Sequence, residues 1–392
     1  MNFNAKTLAG TIIIIVIVAG LGLWLTLQTP QAQEKRLIIY TYDYFFGLTG
    51  DSVNSSIYKI IFDSFAERYG VKIEVRFFDG AKNILLTTVT EKKAGARTAD
   101  ILIGLDNVAI QEAKKQGILE KLDSNRLGNL SLIDQNLVIW YDPELYGVPY
   151  DFGPIAFTYD SKRINITQLT FDDFINKGMD QLLIVESPMT STTGEAFLLW
   201  EIAFYGKVLD KNWKDWWQQV KDNIIITQSW GDAYFGYFLD ESKNRPIVVS
   251  YLTSPVYHWL YEGTLRYKSA LITYNNKTYA WSQIQGISIV KGSPMKDIAY
   301  KFIDWLLSNE IQVLVAENDI MLPANTYAIN HLSSNVTYAL GYNLSQIEYL
   351  NAYLTPSDIY KNIDNWINDW DSIISGYAGI YMIYATDVST FI

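Results

Sequence analysis

The chain has 392 residues, with 42 acidic side chains against 31 basic ones and a formal net charge of −11. This length suggests two domains, and the balance of 49% hydrophobic to 19% charged residues argues against disorder, while the acidic excess disfavours nucleic-acid binding. The absence of cysteine excludes disulfides, thiolate nucleophiles, zinc fingers and a lipid-modified N-terminal cysteine, and only two histidines argue against a histidine-built metal or catalytic site.

An uncharged apolar segment of 20 residues, Leu8 to Leu27, lies near the N-terminus and follows Lys6. In a helix, this length covers about 30 Å, the thickness of a bilayer core. Lys6 would stay on the cytoplasmic side, so the rest of the chain would face outside. We predict an uncleaved anchor; the alternative is a signal peptide cleaved near Gln31-Ala32-Gln33, although the apolar core of signal peptides usually has about 7–15 residues.

Asn-x-Ser/Thr sequons are a second, weaker sign of export. They begin at Asn54, Asn129, Asn165, Asn276, Asn335 and Asn343. Both features predict a protein at the outer face of the cell membrane.

Strands and helices alternate in the first half of the chain. The predicted strands are Arg36–Asp43, Val71–Phe78 and Ala99–Leu105, and the predicted helices run from Asn54 or Ser55 to Glu67, near Lys82–Lys93 and over Asn107–Gln116. This order predicts a doubly wound parallel sheet, in which ligands bind at the carboxyl ends of the strands. Those ends are Tyr40–Tyr44, Asp79-Gly80 and Asp106-Asn107.

A second α/β set begins near Gly147. Its predicted strands are Tyr146–Asp160, Gln181–Pro188, Asn223–Trp230, Pro246–Tyr251 and Gly286–Ser293, and its predicted helices end at Phe204 or span Ala233–Asp240, Met295–Leu307, Gln346–Leu354 and Pro356–Ser375. Pro149 and Gly153 interrupt the first of these strands, which suits a crossing between lobes. No linker rich in Pro, Gly or Ser separates the lobes. We therefore predict an α/β fold with two lobes and chain crossovers between them.

Several common catalytic motifs are absent from the sequence. It contains no GxGxxG after the first strand, no GxxxxGK[ST] and no GxSxG, which leaves dinucleotide, P-loop and serine-hydrolase interpretations without support. The carboxylate pairs Asp172-Asp173 and Asp369/Asp371 are better explained as solvated helix faces than as glycosidase acids. Trp213, Trp216 and Trp217 have helical spacing, which favours core packing over ligand stacking.

Aromatic and polar residues occur together at four strand ends. These places are Tyr40–Tyr44, Asp79-Gly80, Thr190–Gly194, and Trp230 with Tyr251–Ser254 and Tyr257. Aromatic rings beside carboxylates suit a flat cationic organic ligand, through cation–π contacts of about 0.5–2 kcal/mol each. The loop Thr190–Gly194 precedes a helix and would hold a hydroxyl or phosphate at its positive end. Generic aromatic packing and an ordinary helix cap are the alternatives.

Eight motifs in chain order give the sequence a family resemblance. They are IYTYDYF (Ile39–Phe45), FDG (Phe78–Gly80), ADILIGLDN (Ala99–Asn107), VPYDFGPIAFTYD (Val148–Asp160), SPMTSTTGEAFLLW (Ser187–Trp200), TQSWGDAYFGYFL (Thr227–Leu239), VVSYLTSPVYH (Val248–His258) and MLPAN (Met321–Asn325). From Ile38 to about Ser375 the chain resembles the extracytoplasmic thiamine-binding proteins of ABC importers, in the type II periplasmic-binding-protein superfamily. The resemblance implies two α/β lobes around a cleft, no catalysis and no cofactor. It also implies delivery of thiamine or a thiamine phosphate to a membrane permease.

The resemblance also implies the ligand contacts. They are Tyr42, Asp79, Gly80, Ser191, Thr192, Trp230, Tyr251, Leu252, Thr253, Ser254 and Tyr257. Tyr257 or Trp230 would stack on a ring of the ligand, and Asp79 would balance its positive charge or accept from its amino group. Ser191 and Thr192 would hold its hydroxyethyl end or an attached phosphate.

One segment departs from the family pattern. Bacterial relatives carry a tryptophan before the MLPAN-like motif, where this chain has Glu317-Asn318-Asp319-Ile320. An aromatic wall of the site is therefore missing or replaced, which leaves the exact vitamer open.

We divide the chain as follows: an anchor or signal segment with its stalk (1–36), a first lobe (37–152 and 284–322), a second lobe (153–283 and 323–375) and a tail (376–392) with no functional interpretation. The expected partners are a thiamine-type molecule, an ABC permease and the membrane; we expect a monomer with no metal site. The first alternative is a receptor of the same fold for a polyamine or ferric ion, where iron would need Tyr251 and Tyr257 without a histidine. The second is an enzyme or a structural surface protein.

Overall fold

A computed structural model describes residues 35–52 and 55–376. The predicted anchor or signal segment, the Asn54 start of the first helix and nearly all of the C-terminal tail lie outside these residues. Within the described ranges, no helix has the length and hydrophobicity needed to cross a membrane.

The strands are named in chain order. They are β1 Arg36–Tyr42, β2 Lys72–Phe78, β3 Ile101–Leu105, β4 Val148–Asp160, β5 Leu183–Glu186, β6 Ile225–Thr227, β7 Ile247–Tyr251, β8 Tyr267–Ala270, β9 Ile272–Tyr274, β10 Lys277–Ala280, β11 Ser282–Ile289, β12 Leu322–Pro323 and β13 Ile347–Tyr349.

The α-helices are named in the same way. They are α1 Ser56–Tyr58, α2 Ser64–Tyr69, α3 Gly80–Lys93, α4 Ala109–Lys115, α5 Gln135–Tyr141, α6 Phe171–Asn176, α7 Thr192–Phe204, α8 Lys214–Val220, α9 Ser254–Glu262, α10 Lys296–Leu306, α11 Asn309–Gln312, α12 Val315–Asn318, α13 Thr326–Ile329, α14 Ser334–Leu340 and α15 Pro356–Ser375. Single π-helical turns occupy Lys59–Asp63, Tyr205–Leu209 and Asp232–Phe238. Short 3₁₀ turns occupy Phe45–Gly47, Ser124–Arg126, Gly128–Leu132, Met179–Leu182, Glu241–Lys243, Leu344–Gln346 and Leu350–Ala352.

One large sheet organises the described chain, in the strand order β2-β1-β3-β11-β4-β7-β5-β6, with β8 and β12 also paired to β4. Its first part holds the parallel strands β1, β2 and β3, and its second part holds the parallel strands β5, β6 and β7. The strands β9, β10 and β13 form a small separate sheet. The predicted α/β architecture is confirmed, whereas the residue limits of the two lobes stay a prediction.

Strand β4 belongs to both parts of the sheet. Residues 148–154 pair with β11, and residues 155–159 pair with β7. All of β4 is buried, as its nearly continuous apolar sequence predicts. Pro149 does not interrupt the strand, because the register with β11 shifts between Gln285 and Gly286, opposite this residue.

The first predicted helix forms with the predicted ends. The Ser55 hydroxyl accepts a hydrogen bond from the Tyr58 backbone N–H, and Gly70 ends the helix in the left-handed conformation. The π-helical turn Lys59–Asp63 lies between α1 and α2. The buried face, which includes Ile61 and Phe65, packs into the core as its spacing predicts.

The tryptophans of α8 and the preceding turn pack into the core, which confirms their predicted role. The Trp216 indole donates to the Phe171 carbonyl, and the Trp217 indole donates to the Glu201 carboxylate at 2.6 Å. Both rings are almost completely buried. They therefore cannot stack on a ligand.

The predicted helix Gln346–Leu354 is wrong. Ile347–Tyr349 instead form β13, which pairs in parallel with β10. The Asn351 side chain accepts from the Ser282 backbone N–H and donates to its carbonyl, which fixes the following turn. Here tertiary strand pairing overrides a helical spacing of apolar residues. The strand predicted at Asn223–Trp230 is too long, since only β6 forms there. The helix predicted at Ala233–Asp240 forms as a π-helical segment over Asp232–Phe238.

Candidate functional site

The two sets of parallel strands point their carboxyl ends at each other. Strand β4 runs in the same direction as β3, since both are antiparallel to β11. The carboxyl ends of β1 to β3 therefore point along β4 toward the second part of the sheet. Strand β7 is antiparallel to β4, so the carboxyl ends of β5 to β7 point back. The strand ends chosen from the sequence thus meet in one region, which we call the junction.

Two glutamines of β11 contact the junction, and Gln283 connects its two sides. Gln283 and Gln285 point to the same face of the strand because side chains alternate. The Tyr251 hydroxyl donates to Gln283 Oε1 at 2.5 Å, and Gln283 Nε2 donates to Asp106 Oδ2 at 2.8 Å. Gln285 Oε1 lies 3.2 Å from the Tyr150 hydroxyl. Neither glutamine was predicted as a site residue, since nothing in a strand sequence marks such a link.

Lys82 joins the first turn of α3 to the second part of the sheet. Its ammonium group donates to the carbonyls of Pro188 and Met189 at 3.1 and 2.9 Å and lies 3.0 Å from Glu195 Oε1. Because Lys82 follows Asp79-Gly80 closely, these contacts place that turn beside the loop before α7. Sequence reasoning missed both Lys82 and Glu195, whose importance depends on the packing of two helices far apart in sequence.

Asp79 and Gly80 lie at the start of α3, on the first side of the junction. Asp79 is exposed, and its carboxylate makes no capping hydrogen bond to α3. Gly80 has φ +82°, a conformation that side chains with a Cβ rarely adopt. Burial and the neighbouring charge of Asp79 raise the pKa of Asp43, so these two carboxylates lie close together. The site is therefore negatively charged at this edge.

The loop Thr190–Gly194 uses its small residues for packing. The Thr190 hydroxyl donates to the Gln228 carbonyl, and the Ser191 hydroxyl caps α7 by accepting from the Gly194 N–H. Thr193 lies 3.1 Å from the Tyr251 hydroxyl, while Thr192 is half-buried. A Cβ at Gly194 would lie 2.5 Å from the Glu186 carbonyl oxygen. Contact of Ser191 and Thr192 with a ligand stays a prediction, because structural partners account for most of the loop.

Trp230 combines a fixed position with partial exposure. Its indole N–H donates to the Ser250 hydroxyl at 2.9 Å, and Ser250 lies 2.8 Å from the Ser254 hydroxyl. The ring stacks on Tyr234 with centroids 5.0 Å apart and an interplanar angle of 26°. Such a preorganised, half-buried ring is suited to stacking against a flat ligand.

The segment from Tyr251 to Tyr257 divides into accessible and buried residues. Tyr251 is half-buried, whereas Leu252, Thr253 and Ser254 are buried at the start of α9. Only their backbone atoms or a movement of the chain would bring these three residues to a ligand. Tyr257 is 42% exposed and packs against Tyr261 with centroids 5.2 Å apart. Its ring is therefore available, but no contact with Trp230 is seen.

Buried acidic groups surround the predicted contacts. Burial raises the pKa of Asp106 and raises that of Glu195 to about 7, although Lys82 opposes both shifts. Asp106 was noted from the sequence as a strand end but was left out of the predicted contacts. Glu186 is completely buried, and neither of its carboxylate oxygens has a hydrogen-bond partner among the described residues. Burial therefore favours the neutral forms of these acids, and the arrangement disfavours an uncompensated anion.

The substitution Glu195→Gln tests the electrostatics of the junction. The pKa of Glu195 is about 7 in the folded protein against an ordinary 4.5, so between these pH values the folded state retains a proton that the unfolded state releases. Stability therefore falls as pH rises through this range and is constant above it. We expect wild type to lose on the order of 2 kcal/mol of unfolding free energy relative to the variant between pH 4.5 and 8, measured by urea denaturation.

The exposed residue Glu317 provides the control, because Glu317→Gln should show no such change relative to wild type. If the difference in unfolding free energy between wild type and Glu195→Gln did not change with pH, the raised pKa of Glu195 would be contradicted.

The segment that departs from the family pattern also lies at the junction. The Asp319 carboxylate accepts from the Phe46 backbone N–H at 3.0 Å and from the Tyr42 hydroxyl at 3.2 Å. A carboxyl group thus occupies this position beside Tyr42. The Tyr42 ring is also pressed against Gly104, where a Cβ would lie 2.3 Å from it.

Comparison with known proteins places this geometry in a family. Residues 50–313 match the family described as bacterial extracellular solute-binding proteins. The thiamine-binding periplasmic protein of Brucella abortus is 27% identical over 345 residues, covering 87% of this chain and 93% of that protein. The protein of the same name from Escherichia coli is 24% identical over 355 residues, covering 91% and 98%.

A solved structure described as a periplasmic thiamin binding protein has the same fold. The two structures have a TM-score of 0.69 and 22% identity, with 88% of this chain and 98% of the other covered. The chain therefore shares the α/β fold of that protein, while its division into two lobes stays a prediction. At this level of identity, the likeness shows the fold and leaves the ligand open.

Proposed function

Because the chain belongs to the bacterial extracellular solute-binding proteins, we propose that it captures thiamine or a thiamine phosphate at the junction and delivers it to an ABC permease. The observation that carries this proposal is that the carboxyl ends of the two sets of parallel strands face each other. The half-buried Trp230 lies on one side of this junction, and Asp79 lies on the other. The relatives named above, which are called thiamine-binding proteins, support the choice of ligand. The role is binding and transport rather than catalysis.

The charge of the junction favours a cationic ligand. Asp43, Asp79 and Asp106 lie at the ends of the first three strands, whereas burial of Glu186, at the end of β5, raises its pKa well above the usual range and favours its neutral form. A thiazolium ring is permanently cationic, so it would gain attraction from these carboxylates and from aromatic faces. The hydroxyethyl or phosphate end would lie toward Ser191, Thr192 and Lys82.

Calorimetric titration of the full chain, purified in mild detergent, tests the proposal. The ligands are thiamine, its monophosphate and diphosphate, spermidine and ferric citrate. We expect binding of at least one thiamine form. Absence of heat with every thiamine form, together with binding of spermidine or iron, would replace the proposal by the same-fold alternative.

We further propose that the protein works outside the cytoplasm and is held at the membrane by the segment Leu8 to Leu27. The periplasmic relatives support the location. With no cysteine, a lipid tether on cysteine is unavailable, and delivery to a permease favours a receptor that stays nearby. The intact mass of the protein from native membranes tests the anchor, since a mature chain starting near Gln33 would identify a signal peptide instead.

A further inference from the structure

A pair of carboxyl groups at the junction has no role in the contacts predicted above. Asp151, in β4, is completely buried, and although the Asp319 carboxyl, the Tyr150 hydroxyl and the Gln285 backbone lie near its side chain, neither of its oxygens makes a well-formed hydrogen bond with a described residue. Burial and the neighbouring Asp319 carboxylate raise the pKa of Asp151 well above its usual range. A buried polar group without a partner is costly, so its presence points to a proton or a ligand that completes the site.

Asp319 is a neighbour of both Asp151 and Tyr42. Asp319 is partly exposed, whereas Asp151 is buried. The Phe46 N–H and the Tyr42 hydroxyl donate to its carboxylate at 3.0 and 3.2 Å, and the Tyr150 hydroxyl lies 2.7 Å from that of Tyr42. These donors fix the carboxylate in place.

Neither carboxylate has a compensating positive charge. No Lys, Arg or His of the described chain forms an ion pair with Asp151 or Asp319, whereas Lys82, the cation described above at the junction, pairs with Glu195. Other titratable groups on the elements around Asp319 are Tyr42, Asp43, Tyr150 and Glu317, with Tyr257, His258, Tyr261 and Glu262 on α9. The only basic group among them, His258, is held by Tyr234 and Glu262 instead. The unmet need at this position is therefore for positive charge or for a hydrogen-bond donor.

We propose that Asp319 is a ligand-binding residue whose carboxyl group contacts the nitrogen-bearing ring of the bound cation, with Asp151 behind it as the second half of the pair. The inference rests on the proposed function, since the aminopyrimidine ring of thiamine offers an amino donor and a ring nitrogen. The carboxylate accepts from the amino group. A carboxyl group, that of Asp319, thus replaces the aromatic side chain that the family resemblance implies at this position of the site.

Proton binding by the pair gives the contact a characteristic pH dependence. Two neighbouring buried carboxyl groups do not both ionise readily, and burial raises the pKa of Asp319 to about 6. A bound cation favours the ionised form, so binding should tighten as pH rises through about 6. The tyrosine hydroxyls of Tyr42 and Tyr150 stay protonated in this range, because burial and both carboxylates raise their pKa further above neutral.

The test compares Asp319→Asn with wild type by calorimetry of the full chain, using thiamine and oxythiamine, in which an oxo group replaces the amino group. Asparagine still accepts from Phe46 but cannot ionise. We expect thiamine binding to weaken by at least about tenfold in the variant, as for loss of a charged hydrogen bond, and oxythiamine binding to change much less. In the variant, the change in thiamine affinity near pH 6 should vanish. Because wild type and variant are compared with the same ligand, any titration of the ligand itself cancels.

Glu317→Gln, two residues away and exposed, is the matched control and should bind like wild type. Asp151→Asn is the second variant in case Asp319→Asn fails to fold; the neighbouring Asp151 carboxyl lowers the pKa of Asp319, so weakening this contact should shift the pH dependence of binding to higher pH. Wild-type affinity and an unchanged pH profile in a folded Asp319 variant would overturn the inference and leave the proposed function intact. Absence of thiamine binding by wild type would overturn both.

Discussion

Replacing Trp230 by alanine is expected to weaken thiamine binding by about 2 kcal/mol, a roughly thirtyfold loss of affinity. The ring is fixed by its hydrogen bond to Ser250 and by stacking on Tyr234, so little order has to be gained when a ligand binds. Calorimetric titration of the full-length variant measures the effect. Its urea midpoint should stay close to that of wild type, because the ring is only half-buried.

Two further variants separate stacking from other effects. Trp230→Phe keeps a ring but loses the hydrogen bond to Ser250, and it should recover most of the affinity. Trp366→Ala, which removes a half-buried tryptophan from α15, should leave binding unchanged. Wild-type affinity in a folded Trp230→Ala would place the stacking ring elsewhere, and the exposed ring of Tyr257 would then be the first alternative.

Trp217→Ala should lower the free energy of unfolding by about 3–5 kcal/mol. The indole is buried between Trp216 and Trp370, with ring centroids at 5.1 and 5.6 Å. Its removal leaves a large cavity and takes away the one hydrogen bond to the buried Glu201 carboxylate. Chemical denaturation of the purified chain measures the loss.

Trp217→Phe is the informative comparison, because it retains most of the packing and removes only the indole donor. Its loss should be intermediate, since the Glu201 carboxyl group then has no partner. Thiamine affinity of the folded fraction should not change in either variant. A destabilisation below about 1 kcal/mol for the alanine variant would show that the surrounding rings close over the cavity.

Local sequence signals predicted much of the fold. Ser55 and Gly70 mark the ends of the first helix because capping depends on nearby backbone groups only. The continuous apolar run of β3 identifies a buried strand for the same local reason. The β9–β10 hairpin was missed although Asn275 and Asn276 both have positive φ, as a tight turn requires.

Functional contacts were harder to predict than strands. The strand ends could be chosen from topology alone, which led to Tyr42, Trp230 and Tyr251. Lys82 and Glu195 meet only because α3 and α7 approach each other, and no spacing in the sequence reveals that approach. Asp319 appeared in the sequence as a lost aromatic residue; its hydrogen bond with Tyr42 was visible only in the structure.

The path of β4 and β11 also constrains how the protein is made. Strand β11 lies between β3 and β4 in the sheet, yet it is synthesised only after the strands of the second part. While the chain emerges, the wholly apolar β3 and the buried first half of β4 each have an open edge where β11 will pair. The N-terminal lobe therefore cannot mature as an independent unit ahead of the ribosome. A chain released before Ser282 would aggregate rather than yield a smaller working receptor, so export must keep almost the whole polypeptide unfolded or chaperoned until its second half arrives.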